Sequence, residues 1–495
     1  MYVKGIPQLK IPIKQKELTI DLVKPYLDDI FSKFKENAEK IRQDYDKFCL
    51  NQDIFAKTRE HQDTDINNII AIPNIRSIIE WKVGYTVGQQ IKYAQIKSNT
   101  TNDIEILGKH FRSVNKNTIN EEEITWAFVT GVGYTFIQPK QENYDANEVA
   151  PFDMYCIESD RCAKVYSSYL GNKELFDIIY TTYEEIKNET RQKVEVMDLY
   201  FPKNLYTFEN RVGSSGWKLV NTQSRALYHK LPLTEKRSNK DGIGLVAMGE
   251  HLANTMDKLI SSGLDNIEEV VNQFFVYYNV NLGNNAEERA ETHKKARKNG
   301  VIVANGASHE LPPKVDTIEP KLNLDEVRML YGLVNEVFHA VCGVPLETSN
   351  TNSGGTTKQG SEVAHGYDNA YTRFLKDTNY FIKADYEQLE KIMWIEKNAP
   401  NNSIDSISTY DVQIKYQPNL TDNILTKSQA FGTLIQYMPP AMALRICRMS
   451  PDPEAEGTAI ENSQVYRNYI QGKEKETQTQ NVSRETKKIV NNAKA

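Results

Sequence analysis

Cysteine is scarce in this chain of 495 residues, and the five cysteines form no recognisable pattern. None belongs to a CxxC pair and the count is odd, which argues against a disulfide framework or a zinc ribbon and favours a reducing compartment. The eight histidines are scattered and no HExxH motif occurs, so nothing indicates a zinc site of the metalloprotease type. We therefore expect no metal and no cofactor.

Long apolar runs and a surplus of positive charge are also missing. No stretch of about 18 apolar residues occurs, and the first residues contain no apolar signal core, so we expect neither a membrane span nor a secretory leader. The formal net charge is −6, which excludes a basic field over the whole surface. Any contact with DNA must therefore be local or weak.

The sequence contains no complete catalytic or nucleotide-binding motif. Residues 242–247 fit a relaxed dinucleotide-binding pattern, but a charged loop precedes them where the motif needs a strand. Residues 355–360 lack the Gly-Lys-Thr/Ser ending of a phosphate-binding loop. No nucleophile, base and orienting group come together in the sequence. We predict that the chain is not an enzyme.

What is present is an ordinary globular composition, with 39% hydrophobic and 25% charged residues, and a strong pattern over residues 322–395. There, a helix ends at Gly343, a polar loop follows, and a longer helix is predicted from Ser361. The loop 348–360 has no apolar residue, so it is either a flexible connector or a device that touches something in solvent. Helical spacing places the apolar residues of the first helix on one face, which consists of Val327, Leu330, Val334, Val337, Phe338 and Val341.

A second strong helix is predicted over residues 245–273. An insertion of about fifty residues with α/β character separates it from the helix at 322–342, and together they predict a helical hairpin with a cap. Residues 150–228 alternate like an antiparallel meander. The end of the chain, from 471, is rich in Lys, Glu, Gln, Thr and Asn and is expected to be disordered. The predicted fold class is α+β.

This order of parts resembles the portal, or head–tail connector, proteins of tailed double-stranded-DNA bacteriophages. The segments that carry the resemblance are 325–345, 348–360 and 361–394, with 75–93 and 131–134 upstream. It spans about residues 60–450. In one departure, residues 353–357 read Ser-Gly-Gly-Thr-Thr where the family often has a hydrophobic-Ser-Gly-hydrophobic-Ala step.

The resemblance implies a ring, commonly of twelve subunits, built from an α+β subunit with a wing, a two-helix stem, a small α/β clip, a tunnel loop with a long helix, and a helical crown. The implied parts are the wing (1–244), stem helices (245–273 and 322–345), clip (274–321), tunnel loop (346–360), long helix and wing return (361–424), crown (425–470) and tail (471–495).

The resemblance also implies a function and partners. The ring would form a channel at one capsid vertex of the virion, after assembly in the host bacterial cytoplasm. Double-stranded DNA would pass through it non-specifically during packaging, retention and ejection. The clip would bind the terminase, which is the packaging ATPase, and later the adaptor or tail proteins. Major capsid and scaffolding proteins would be further partners, and no membrane is involved.

Charge in the predicted stem fits a channel, because an acidic wall repels DNA and offers no gain from counterion release. The wall residues would be Glu250, Asp257, Asp265, Glu268, Glu269, Asp325, Glu326 and Glu336. Hydroxyls, amides and one lysine of the tunnel loop would touch phosphate without reading sequence. These loop residues would be Thr348, Ser349, Asn350, Thr351, Asn352, Ser353, Thr356, Thr357, Lys358 and Gln359.

Other interpretations stay open at this point. The basic helix end in the clip is either a solvated surface or a contact with a partner or with exiting DNA. It consists of Lys294, Lys295, Arg297 and Lys298. The whole chain is alternatively a capsid, baseplate or scaffold protein without a DNA channel, or a nucleic-acid enzyme. A single-vertex location separates the first alternative from a portal, and a nuclease assay tests the second.

Overall fold

The computed structural model gives the chain a mixed α+β fold, as predicted, and describes residues 5–463 with gaps. The residues outside the description are 1–4, 15, 17, 59–65, 97–102, 141–147, 188–189, 212–215, 226–229, 272–273, 279–284, 300–313, 319–323, 347–357, 400–403, 405–406, 419–423, 448–452 and 464–495. Two compact units, 1–419 and 420–495, are described separately below. Among the described helices, none combines the length and apolar character needed to cross a lipid bilayer.

The largest sheet has six strands and contains most of the predicted meander. In spatial order they are β1 (Leu9–Ile11), β5 (Cys162–Ser167), β6 (Glu174–Lys187), β7 (Thr190–Tyr200), β8 (Asn204–Arg211) and β9 (Lys218–Ser224). Strands β5 to β9 pair antiparallel in chain order, whereas β1 pairs parallel to β5. The predicted meander is therefore confirmed for these strands.

An amphipathic helix covers one face of this sheet. After the short α1 (Ile20–Val23), α2 (Leu27–Phe48) buries Phe31 and Phe34 against sheet residues such as Val165. Helix α2 ends at Phe48, because Leu50 adopts a left-handed φ of +71°.

Two of the smaller sheets and three helices lie next to each other in the first unit. A three-stranded antiparallel sheet has the order β10 (Leu233–Arg237), β3 (Val132–Pro139) and β4 (Phe152–Ile157). The two-stranded sheet pairs β2 (Lys92–Gln95) with β13 (Val412–Lys415). The helices are α3 (Asn74–Val87), α4 (Asp103–Ser113) and α5 (Lys116–Thr130).

The glycine pair at 242–244 has a structural role. A Cβ at Gly244 would overlap the carbonyl oxygen of Val129, and a Cβ at Gly131 would overlap the backbone of Gly242. Two chain segments therefore cross here at a distance that only glycine allows. This crossing accounts for the glycines that fit the dinucleotide-binding pattern.

The predicted hairpin with a cap is present as secondary structure. The two helices are α6 (Leu245–Val271) and α8 (Leu324–Cys342), and between them lie β11 (Phe274–Tyr278), α7 (Ala286–Asn299) and β12 (Lys314–Ile318). Strands β11 and β12 pair antiparallel, with Phe274 opposite Ile318. The insertion therefore begins and ends side by side, as a cap on a hairpin requires.

The longest helix is α9 (Lys358–Asn398), which begins three residues before the predicted Ser361. In the second unit, residues predicted to be helical form α10 (Ile424–Leu434), α11 (Pro440–Cys447) and α12 (Pro453–Asn462). Helices α11 and α12 pack closely, because Gly457 lies against the backbone of Ala441. The predicted disordered tail, 471–495, lies outside the described residues.

Candidate channel-forming segments

Helices α6 and α8 pack against each other as an antiparallel pair. A Cβ on Gly249, near the start of α6, would lie 2.7 Å from Phe338 near the end of α8. Further along α6, a Cβ on Gly263 would lie 3.7 Å from Val327 at the start of α8. Phe338 is buried in the core that both helices share. At the end of the pair where α6 begins, the small residue Gly249 therefore packs against the large side chain of Phe338.

The prediction that Asp257 and Asp265 belong to an exposed acidic wall is wrong. Asp257 is 0% exposed and Asp265 is 1% exposed. The backbone N–H of Ile72 donates to Asp257 at 3.0 Å, and that of Asn68 donates to Asp265 at 2.7 Å. Both carboxylates bind an extended segment of the same subunit, which we call the 66–72 strap.

The electrostatics of the two aspartates differ. Burial raises the pKa of Asp257, and the single hydrogen bond from Ile72 only partly offsets this. Burial alone would raise the pKa of Asp265 too, but the ammonium of Lys57, at 2.5 Å, and the Asn68 N–H outweigh it and lower that pKa. Asp265 is therefore a paired charge, whereas Asp257 is a buried acceptor that pairs with no cation among the residues that the structure describes.

The other predicted wall residues of α6 give a mixed result. Glu250 forms an ion pair with Lys47 of α2, so its charge is neutralised inside the subunit. Glu268 is exposed, and the side chain of Glu269 lies outside the described residues. Of the predicted wall residues on α6 whose side chains the structure describes, Glu268 alone is exposed.

The acidic residues of α8 are exposed to solvent. Asp325, Glu326 and Glu336 are all exposed. Asp325 and Glu336 lie about three helical turns apart and so share a face. Arg328 is the exposed base near that face. The predicted acidic residues are therefore exposed on α8 and not along the whole hairpin.

The apolar residues that helical spacing placed together on α8 divide into a packed face and an exposed face beside it. One face carries Val334 and Phe338 and packs into the core. The second face is exposed, and we call it the α8 stripe. It consists of Met329 (73% exposed), Leu330 (45%), Leu333 (57%), Val337 (42%) and Val341 (37%). A row of large apolar side chains on one helix face is typical of a surface that binds another protein.

Arginine caps the end of α8, next to the predicted tunnel loop. Gly343 has a φ of +72°, and the N–H groups of Gly343 and Val344 both donate to the carbonyl of His339. From α9, Arg373 donates to the carbonyl oxygens of Ala340 and Val341, each at 2.9 Å. A cation at the negative end of the helix dipole is favourable. Arg373 therefore joins the two helices that flank the loop.

The comparison with known families agrees with this arrangement. A family model described as phage portal protein, SPP1 Gp6-like, matches residues 27–473. The chain belongs to this family of phage portal proteins. As a portal protein it is a structural component of a phage particle. No curated protein matches the sequence.

A solved structure described as the neck of a native GTA particle, computed with C12 symmetry, is similar to the portal chain. The identity is 9%, the TM-score is 0.39, and the match covers 76% of this chain and 88% of that chain.

Most of the predicted tunnel loop of the portal lies outside the described residues. This applies to Thr348, Ser349, Asn350, Thr351, Asn352, Ser353, Thr356 and Thr357. The backbone of Lys358 and Gln359 belongs to the first turn of α9, so the loop ends earlier than predicted. Their side chains are not described. The same holds for Arg297 and Lys298 in α7, whereas Lys294 and Lys295 are exposed and Lys295 pairs with Glu291 at 2.8 Å.

Buried ion pairs, which sequence reasoning missed, fix α9 to the body of the portal subunit. Lys236 of β10 lies between Asp385 of α9, at 2.7 Å, and Glu123 of α5, at 3.0 Å, and all three are fully buried. At the far end of α9, His110 Nδ1 and Glu396 form a buried hydrogen bond at 2.6 Å. Salt bridges in such sites hold geometry, because removing one partner leaves an uncompensated charge.

Metal sites are not indicated in the portal chain. Among the residues that the structure describes, no group of three or more His, Cys, Asp or Glu side chains is arranged to hold a metal ion. Cys342 is buried, and burial raises the pKa of its thiol to about 11, so it is protonated at neutral pH.

Proposed function

We propose that this portal protein assembles as a ring that surrounds a DNA channel at one capsid vertex, through which the genome is packaged, retained and ejected. Membership of the portal family over residues 27–473 is the observation that carries the proposal. In this ring, α6 and α8 form the stem, and the polar segment 347–357 lies toward the bore. The ring is expected to contain twelve subunits, the number common in the family.

The α8 stripe supports assembly. Leu333 and Val337 are large, apolar and exposed in the isolated subunit. Burying the half of each side chain that is still exposed is worth about 1 kcal/mol. A neighbouring subunit that covers the stripe would recover this free energy, and a contact that joins two different surfaces closes into a ring when its rotation is right. The polar face of α8 that carries Asp325 and Glu336 lies beside the stripe and opposite the packed face, so it is then free to line the bore.

Charge on α8 supports passage of DNA. Asp325 and Glu336 would repeat around the bore with every subunit. Repulsion by such a wall keeps DNA from binding, and a translocation channel needs weak, non-specific contact. Hydroxyls of the loop, together with Lys358, would contact phosphates without reading bases.

The insertion between α6 and α8 is the proposed clip. Its helix α7 presents Lys294 and Lys295 to solvent. We assign to this part the binding of the terminase motor during filling, and then of the adaptor or tail proteins. Capsid and scaffolding proteins would contact the remainder of the ring.

Electron microscopy of the purified protein tests the ring. Class averages of the parent protein should show rings with a central bore. The double variant Leu333→Glu/Val337→Glu should give folded monomers, because it places charges in the stripe. Arg328→Gln, on the polar face of the same helix, is the matched control and should still form rings. Rings formed equally well by the stripe variant would overturn this interface, and a parent that stays monomeric at all concentrations and in procapsids would overturn the channel.

A further inference from the structure

A cavity of about 550 Å³ lies between β2, α4 and the start of α5, away from the segments assigned to the channel. Its lining includes four cationic side chains, Lys92, Lys109, Arg112 and Lys116, and one carboxylate, Glu105. Cavities of this volume are within the range of small-ligand sites. Four cationic side chains against one carboxylate is an unusual lining for a concave space. Cations repel one another, so bringing them together costs free energy unless an anion is close by.

Lys116 is the most informative of the four. Its side chain is buried, with the residue 3% exposed, and it donates to the amide oxygens of Gln388 at 2.9 Å and Asn120 at 3.2 Å. Burial lowers its pKa to about 8. Both direct acceptors are neutral, and the two carboxylates that act on the ammonium through space, Asp385 and Glu123, already pair with Lys236. An anion in the cavity would favour the charged form of Lys116.

The other three cations are unpaired in the described part of the chain. Lys92, Lys109 and Arg112 are exposed at the cavity and form no ion pair with any residue that the structure describes. A second cavity of about 400 Å³ is also lined by Lys109 and Arg112, together with Ser113 and Glu148. Three unpaired cations and one buried lysine therefore converge on a single space.

Gly108 keeps this space open. It lies inside α4, where glycine is unfavourable compared with alanine. A Cβ at this position would meet no atom within 4 Å, although the residue lines the cavity. No packing contact requires a glycine here. A larger side chain at 108 would enter the cavity instead of the core, which provides a direct means of closing it.

We propose that this cavity binds phosphoryl groups, either on a free nucleotide or on the end of a nucleic-acid strand. Lysine and arginine only donate hydrogen bonds, and phosphoryl oxygens only accept them. A peptide would bring backbone N–H groups that need acceptors, of which Glu105 is the one carboxylate in the lining. A duplex is too wide to enter a space of this volume, so the strand end must be single.

Calorimetric titration of the full-length protein tests the proposal, with pyrophosphate, ATP and a single-stranded decamer with or without a 5′-phosphate as probes. Binding of pyrophosphate or ATP indicates a free-nucleotide source, and selective binding of the 5′-phosphorylated decamer indicates a strand end. Either result supports the site if Lys109→Gln/Arg112→Gln weakens it about tenfold or more, since both lost contacts are charge-assisted. Lys193→Gln/Lys218→Gln removes two exposed lysines that do not line the cavity and should leave binding unchanged.

Gly108→Phe provides the second arm, because it fills the cavity and leaves every charge in place. It should abolish binding while the unfolding temperature stays within a few degrees of the parent. If Gly108→Phe does not fold, the single variant Arg112→Gln, at an exposed position, replaces it and should weaken binding. Equal affinity in the parent and the cavity variants overturns the proposal. No binding of any phosphoryl probe, or binding of polyglutamate alone, also overturns it.

Discussion

The carboxylate of Asp257 accepts the backbone N–H of Ile72 at 3.0 Å, deep under the 66–72 strap. One turn further along α6, Ser261 accepts the N–H of Ile70 at 3.0 Å, and one turn beyond that Asp265 accepts the N–H of Asn68. The spacing of these acceptors along α6 matches the spacing of alternate N–H groups along the strap. Four residues of helix advance about 6 Å, and two residues of extended chain advance about 6.6 Å. An i, i+4, i+8 row of acceptors can therefore satisfy every second N–H of an antiparallel extended segment.

Replacing the two aspartates by asparagine should give different results. Asp265→Asn removes the charge that pairs with Lys57 and should destabilise the subunit by about 1–3 kcal/mol. Asp257→Asn keeps an oxygen that accepts from Ile72 and removes a buried charge without a cation, so its effect should stay within about 1 kcal/mol. Calorimetric unfolding, together with amide hydrogen exchange at residues 68, 70 and 72, measures both. Equal losses would show that Lys57 contributes nothing to the strap.

Two glycines of the α6–α8 hairpin form another matched pair. Alanine at Gly249 would press against Phe338 and should destabilise the subunit by about 1–3 kcal/mol, the usual cost of overpacking. Alanine at Gly332 meets nothing within 4 Å and should stabilise α8 by up to about 1 kcal/mol, from helix propensity. Thermal unfolding should therefore shift in opposite directions. A loss in both variants would mean that Gly332 packs against a partner that the isolated subunit does not contain.

Helical periodicity was sufficient to locate α6, α8 and α9 from the sequence, because long apolar repeats leave few other structures. It did not show what covers each face. Asp257 and Asp265 recur with the spacing of an exposed charged row, and nothing local to α6 indicates that residues 66–72 lie on them. On α8, an exposed apolar row lies beside a packed one. Helical spacing alone therefore placed Val334, which packs against the core, and Val337, which is exposed, on the same face.

The stability of α2 should depend on pH through Asp44. This carboxyl group is 6% exposed, one of its oxygens has no hydrogen-bond partner among the described residues, and burial raises its pKa to about 7. The folded chain thus binds more protons than the unfolded chain between about pH 4 and pH 7, so stability falls as the pH rises through that window.

Asp44→Asn should remove this loss. The variant should match the parent near pH 4 and unfold at a higher temperature above pH 7, which scanning calorimetry across the range would measure. Asp46→Asn is the control, because Asp46 lies on the same helix and is exposed. A variant that is less stable than the parent at pH 8 would show that the Asp44 charge is used in the fold.

Arg373→Gln should loosen the end of α8. It removes the donors to the carbonyls of Ala340 and Val341, and a cap of this kind is worth about 1 kcal/mol. Amide exchange in the last turn of α8 should become about five times faster. Lys376→Gln, an exposed change on the same helix, should leave it unchanged. No sequence pattern pointed to Arg373, because its partners lie more than thirty positions away.

Shortening the polar segment between α8 and α9 separates the channel function from assembly. Deleting residues 349–356 removes no residue of either helix, so rings should form as in the parent, while packaging or retention of DNA should fall sharply. Lys358→Ala should have only a modest effect, because a single solvated charge contributes little. Ring counts by electron microscopy and DNase-protected DNA per particle measure the two properties. If the deletion abolishes the rings, the segment is an assembly element, and its proposed place at the DNA is wrong.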